Sequence, residues 1–283
     1  MKILIIILSF ISIINISNAQ DIVYSDKGNI DFLPASNLFE PVKASVIEAR
    51  NGVIKDVGKN NLLLNIGISA DILKWQIKKQ YFSLGADFFT YSNLRTESNF
   101  KFPVDAIDYF FGFNINYKKN ISSNYFIGRL RISHISAHLE DGHKYIENDT
   151  IFTPFVYSRE FLDLSAGYDY YLSNGFNIKN VFSVNILFHS IPDDFGLISL
   201  QYGFEFKYFI NSFLSVYFSN DIKYQTIRSE NYFNENLESG IRLGKQNSKG
   251  FSISFNYYNC KDYKGQYFNN FLNYKAIGFN VDL

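Results

Sequence analysis

The chain has 283 residues, with 27 Lys and Arg against 27 Asp and Glu for a formal net charge of +0, and 18% of its residues are aromatic. Neutral overall charge with scattered Lys and Arg removes any global electrostatic case for nucleic acid or another acidic polymer as partner. The single cysteine, Cys260, excludes an internal disulfide and a metal site built from several thiolates.

Met1-Lys2, the apolar run Ile3 to Ile14 and the small residues Ser17-Asn18-Ala19 before Gln20 read as a secretory signal over residues 1–19. The apolar run is too short for a spanning helix. No later segment reaches 18 consecutive apolar residues, so membrane-crossing helices are not expected. Residues 20–42, with Pro34 and Pro41, lack sustained alternation and are expected to form a periplasmic N-terminal segment beneath the domain that follows.

From Lys43 to the last residue, apolar and polar side chains alternate in segment after segment. In Asp105 to Tyr117 one set of alternate positions is Ile107, Tyr109, Phe111, Phe113 and Ile115, and the other is Asp108, Phe110, Gly112, Asn114 and Asn116. Successive strand residues point to opposite faces, so one face suits hydrocarbon and the other water. The expected fold is all-β, a transmembrane antiparallel up-and-down β-barrel over 43–283. About twelve strands are expected, near 43–50, 61–73, 79–91, 105–117, 123–139, 155–171, 176–189, 198–209, 213–227, 234–245, 249–259 and 268–283. The 30 Phe and 21 Tyr suit a lipid-facing wall with interfacial girdles, and Trp75, beside Lys74 and Lys78, suits an interfacial anchor.

The links alternate in length, as short periplasmic turns and longer external loops should. Short ones fall at Gln76–Lys78, Lys118–Ser122, Ser173–Gly175, Asn211–Ser212 and Gln246–Ser248. Longer ones fall at Ser92–Pro103, Glu140–Pro154, Ser190–Gly196, Arg228–Phe233 and Lys261–Gln266. All five prolines lie outside strand interiors by this division. The inward face carries both signs of charge, among them Asp71, Asp87, Arg129, Arg131, Asp163, Lys179, Glu205, Lys223, Glu238 and Arg242. Such a mixture suits a network that holds a lumen shut better than a constriction selecting one sign of ion.

Three of the four histidines fall within ten residues, in Gly128 to His143. On that strand Leu130, Ile132, His134, Ser136 and His138 share one face, and Arg129, Arg131 and Ser133 the other. The parity points the histidines and Ser136 outward, near the external rim. Same-face neighbours two residues apart lie about 6 to 7 Å apart, within reach of an imidazole for a hydroxyl. His134 is therefore a candidate base for Ser136 as nucleophile, with Asn148 or Glu160 as the group that orients the base. A polar rim contacting headgroups, loop backbone or water is the alternative reading of the same residues. A loop ligand or metal site at His138, Glu140, Asp141 and His143 is a third.

The His134-x-Ser136 motif on a barrel strand resembles two families, outer-membrane phospholipase A and lipid A 3-O-deacylase. The resemblance implies acyl-ester hydrolysis on the barrel's outer wall. In both, the third residue lies fourteen positions after the histidine, which is Asn148 here. Where the phospholipase has Asn-Gly after its serine, this chain has Ala137-His138. A broader resemblance is to a bacterial outer-membrane family catalogued as a domain of unknown function. It is carried by Phe32 to Pro34 and Phe39 to Pro41, by Arg129 to Asp141, and by Tyr157 to Asp163. It implies an outer-membrane barrel and brings no activity with it.

The sequence reading is thus a monomeric outer-membrane barrel, matured by the barrel-assembly machinery, in contact with outer-membrane lipid, with no nucleic acid, metal or cofactor. An outer-leaflet lipid acyl hydrolase and a small-solute channel are its two functional alternatives.

Overall fold

The computed structural model describes residues 30–140, 146–147, 150–172, 174–246 and 248–282. The secretory signal expected over 1–19 lies outside the described residues. Fifteen strands are present among those described: β1 (Asp31–Phe32), β2 (Gly52–Asp56), β3 (Asn61–Ile77), β4 (Gln80–Arg95), β5 (Val104–Ile121), β6 (Asn124–Leu139), β7 (Ile146–Glu147), β8 (Thr150–Ile151), β9 (Tyr157–Tyr171), β10 (Phe176–Ile191), β11 (Ile198–Phe209), β12 (Leu214–Ile227), β13 (Glu230–Leu243), β14 (Gly250–Lys261) and β15 (Phe271–Asp282). All but β1, β7 and β8 form a closed antiparallel barrel of 12 strands, each paired with its neighbour along the chain and β15 closing on β2. β7 and β8 make a small hairpin of their own between β6 and β9.

Alternation produces the wall. On β5, Phe111, Phe113 and Ile115 face outward and exposed while Asp108, Asn114 and Asn116 are buried inside, and the same division runs round the barrel through Ile132, Leu164, Phe182, Ile241, Phe255 and Ile277. A closed sheet leaves no unpaired edge in an apolar medium, so the exposed aliphatic and aromatic band needs no further cover there. At the short-turn end Trp75 stacks on Phe82, and Phe82, Tyr117 and Phe126 continue as a chain of ring contacts 5.1 to 6.1 Å apart. These rings form an aromatic cluster along the short-turn rim of β3 to β6.

Two expectations are corrected. The first barrel strand is β2, Gly52–Asp56, not 43–50. β1 and β2 both pair with β3, at Lys74 and Leu73 for β1 and at Asn65 to Leu62 for β2, and residues 33–51 between them leave the wall and enter the lumen. The side-chain amides of Asn37 and Asn51 replace the missing strand along this stretch of β3. Asn51 exchanges two hydrogen bonds with the Gly67 backbone, and Asn37 bonds the Ser69 carbonyl and the Asp71 amide. The link expected as a longer loop at Arg228–Phe233 is a two-residue hairpin, Arg228-Ser229, both at positive φ of 50° and 66°. Those dihedrals match the right-handed twist of the flanking strands, which lets β12 and β13 stay paired to their ends.

The inserted segment plugs the barrel. Glu48 accepts hydrogen bonds of 2.5 to 3.2 Å from both Arg129 and Arg131, Arg50 donates to Glu238 at 2.8 Å, and the Lys43 amide donates to Glu205 at 2.7 Å. Ala44 is held from two strands, its amide by Ser219 and its carbonyl by Asn236. Phe39 and Val42 pack on Ile127 and Val181. At the long-loop end residues 262–270 fold inward as a lid. The Gly265 amide donates to Asp108 at 2.7 Å, Gln266 bonds the Ala137 and Phe155 carbonyls, and Phe268 is buried against Phe155, Tyr157 and Phe195. Gly265 is required there, since a Cβ would lie 2.4 Å from the Tyr157 ring and 2.6 Å from Ala137. The inward charges therefore bind plug and wall together, and a cavity of about 440 Å³ remains on the short-turn side.

Candidate functional site on the outer wall

Strand register brings four outward side chains into one row across β5, β6, β9 and β10: Phe111, His134, Glu160 and His189. One step toward the long-loop end, Tyr109, Ser136 and Ser158 form the next row. His134 Nδ1 lies 2.6 Å from Glu160 Oε1, and the Ser158 hydroxyl donates to the same oxygen at 2.6 Å. His189 Nδ1 bonds the other oxygen, Oε2. An ionised carboxylate only accepts hydrogen bonds, so His134 presents Nδ1–H to Glu160, which in the neutral ring makes Nε2 the acceptor.

Of the residues selected from sequence, His134 and Glu160 are thus in direct contact. Ser136 is half-buried on the same face, two residues beyond His134 and opposite Ser158. Its hydroxyl has no side-chain hydrogen-bond partner among the described residues, so the hydrogen bond to His134 that would activate it is not made in this state. Asn148, the other candidate for orienting the base, lies outside the described residues. His138 is exposed and sits edge-on to Tyr109 at 5.7 Å, apart from the Glu160 group. Glu140 pairs with Arg95 at 2.7 Å, and Asp141 and His143 lie outside the described residues. Among the described residues no group of three or more His, Cys, Asp or Glu is arranged to hold a metal ion.

Two members of the group, Ser158 and His189, were not selected from sequence. Ser158 shares the outward parity of Glu160 and precedes it by two residues, a signal available in the sequence. His189 is different. Leu187 faces the lumen, so strict alternation would turn His189 inward too, but a β-bulge between Leu187 and His189 resets the register and aims it outward beside Glu160.

The opposite face of these strands is rigid. Arg129 and Arg131 on β6 and Asp163 on β9 are locked to the plug through Glu48, with Arg131 and Asp163 3.1 Å apart. Below the site, toward the middle of the wall, Phe113, Ile132 and Leu164 offer an exposed apolar surface. A carboxylate, two imidazoles and two hydroxyls thus sit above a surface suited to acyl chains. Ser136 in the adjacent row, His134 and Glu160 are residue types that serve in nucleophilic acyl transfer when they are brought into hydrogen-bond contact.

A closed 12-strand antiparallel barrel with an apolar outer belt and a polar, filled lumen defines the chain as an outer-membrane-type β-barrel. Its sequence matches the family described as "Protein of unknown function (DUF1207)" over residues 32–282, and the chain belongs to that family. The fold is similar to the β domain of the Bordetella autotransporter BrkA, at 10% identity and a TM-score of 0.50, covering 81% of this chain and 94% of that one. Weaker similarities are to the translocator domain of the autotransporter NalP from Neisseria meningitidis (9% identity, TM-score 0.42, 82% and 84% covered) and to OmpT, an outer membrane protein of Vibrio cholerae (7%, 0.39, 92% and 97%). No curated protein sequence matches the chain.

Proposed function

We propose that this protein resides in the bacterial outer membrane and hydrolyses acyl esters of outer-leaflet lipid, with Ser136 as nucleophile, His134 as general base and Glu160 as the group that orients the base. The single observation behind this reading is the 2.6 Å contact of His134 Nδ1 with Glu160 Oε1 on the outer wall, in the row next to that of Ser136. The contact favours the tautomer that a base needs. A rotamer change of Ser136, prompted by an ester carbonyl at the site, brings its hydroxyl to Nε2. The proton then passes from Ser136 Oγ to His134 Nε2 as Oγ adds to the ester carbon. The same proton goes to the departing lysolipid alkoxide, and water releases the fatty acid by a second addition with His134 again as base.

The plug supports a wall site over a lumenal one, because the interior is occupied by residues 33–51 and by the lid at 262–270. It weighs equally against a passive small-solute channel. The test is incubation of the purified barrel with phospholipid vesicles and, separately, with lipopolysaccharide, followed by quantification of free fatty acid. Release by wild type that disappears in Ser136→Ala and in His134→Ala supports the reading. Release that is unchanged in Ser136→Ala removes this serine from the chemistry.

A further inference from the structure

We propose that His189 and Ser158 are positioning residues, and that Glu160 orients His134 only because these two groups hold the carboxylate from its other sides. The inference rests on the proposed roles of His134 and Glu160 and adds to them the part of the site that sits on β10 and at the start of β9.

A glutamate on the outward face of a barrel strand is a polar group beside an apolar surface, and its chain has three rotatable bonds. Left alone it turns toward water or headgroups. Here both oxygens are taken. Oε1 accepts from His134 and from Ser158, and Oε2 accepts from His189. The three donors come from three strands, so the carboxylate plane is fixed between β6 and β10 with no freedom to swing along the wall. Loss of the His189 bond frees Oε2. Glu160 can then rotate about its terminal bond and exchange His134 for solvent, at which point the His134 ring is no longer bound to one tautomer.

The bulge in β10 is the independent observation. Regular pairing would put His189 in the lumen, where Leu187 points. The register shift between Leu187 and His189 gives up regular ladder pairing there and puts His189 opposite Glu160. Bulges that re-aim one side chain are found beside functional sites for this reason. The unpaired residue of the bulge, Phe188, keeps the outward parity of Phe182 and is 59% exposed, so the bulge changes the facing of His189 and leaves that of Phe188 as regular alternation would set it.

The test uses the full-length barrel, refolded in detergent micelles with ¹⁵N-labelled histidine, and reads imidazole tautomers directly. Wild type is expected to show both His134 and His189 as the Nδ1–H form when neutral. His189→Ala is expected to convert His134 into a mixture of tautomers, and Ser158→Ala to do so in part. His189→Asn, whose amide nitrogen falls near the position of Nδ1, should restore the wild-type His134 signal. In a fatty-acid release assay His189→Ala is expected to lower kcat about 10- to 100-fold at unchanged KM, the range that a charge-assisted hydrogen bond supplies, with recovery in His189→Asn. Heat-modified migration on gels verifies that each variant has folded. A His134 tautomer indifferent to His189→Ala in a folded barrel overturns the inference. Absence of fatty-acid release in wild type would instead remove the hydrolase reading, and the tautomer measurement would still decide whether Glu160 is a shared acceptor.

Discussion

Glu48 carries the contact between plug and wall, and replacing it tests that contact quantitatively. Its carboxylate receives four hydrogen bonds from Arg129 and Arg131, whose side chains are 5% and 1% exposed. In Glu48→Gln the guanidiniums keep, as carboxylate partners among the described residues, Asp163, at 3.1 Å from Arg131 and 3.8 Å from Arg129, and Asp87 at 3.9 Å from Arg131. Removing one partner of a buried ion pair costs about 3 to 5 kcal/mol, and the surviving carboxylates place this case near the lower bound, about 3 kcal/mol. Urea unfolding of the barrel in vesicles measures it, with limited proteolysis at residues 33–51 reporting whether the plug leaves before the wall unfolds. The pH dependence follows from the same contacts. Burial pushes the Glu48 carboxyl up, but the charges of Arg129 and Arg131 outweigh it and hold the group below its usual value of 4.5. A carboxyl depressed in the folded state contributes fully above that usual value and loses its contribution as pH falls through the lower folded value. The gap between wild type and Glu48→Gln should therefore be constant at neutral pH and close only under acid conditions below 4.5. A loss under about 1 kcal/mol, the size of an exposed pair, would refute the assignment of Glu48 as the anchor.

Three further outcomes follow from the wall and the lumen. Phe113, 71% exposed at the middle of the outer wall, should not tolerate charge, so Phe113→Arg is expected to lower folding stability in vesicles by about 2 to 4 kcal/mol, whereas Phe100→Arg in the loop after β4 should be within about 0.5 kcal/mol of wild type. Gly67 faces Phe89 so closely that a Cβ would stand 2.1 Å from the Phe89 Cβ and 2.4 Å from the Phe88 carbonyl oxygen; Gly67→Val should reduce the folded fraction on heat-modified gels, and a normal yield would show that β3 can shift there. Planar bilayers should register no steady conductance from wild type and measurable conductance when residues 34–50 are replaced by a short Gly-Ser link, and silence from the variant would mean that the lid alone seals the lumen.

Which parts of this molecule were legible follows from what alternation reports. It reports which side chains meet apolar surroundings, and β3 to β6 and β9 to β15 have one face in contact with an apolar exterior, so their strand identity and sidedness stood out in the sequence. The segment 43–50 opens on the same alternation, Lys43-Ala44-Ser45-Val46, before breaking it at Ile47-Glu48. Yet its backbone is bound by Ser219, Asn236 and Glu205 side chains instead of a neighbouring strand. Side-chain pattern carries no information on backbone pairing, and a segment surrounded by a polar lumen mimics one lying in the wall. Glu160 was legible because it shares the outward parity of Leu162 and Leu164. His189 was not, because one bulged residue inverts the parity of everything beyond it. The short link at Arg228-Ser229 was hidden for a related reason, as neither residue is the glycine or asparagine that usually marks such a turn.

The proposed hydrolysis begins with Ser136 as a nucleophile on the outer wall. Incubating the folded barrel with a long-chain alkyl fluorophosphonate and mapping the modified peptide by mass spectrometry tests this most directly. A single phosphonyl adduct on Ser136 is expected, lost in His134→Ala while the variant remains folded. An adduct on Ser158 instead, or an unmodified Ser136 under conditions that inactivate a known serine hydrolase, would contradict it.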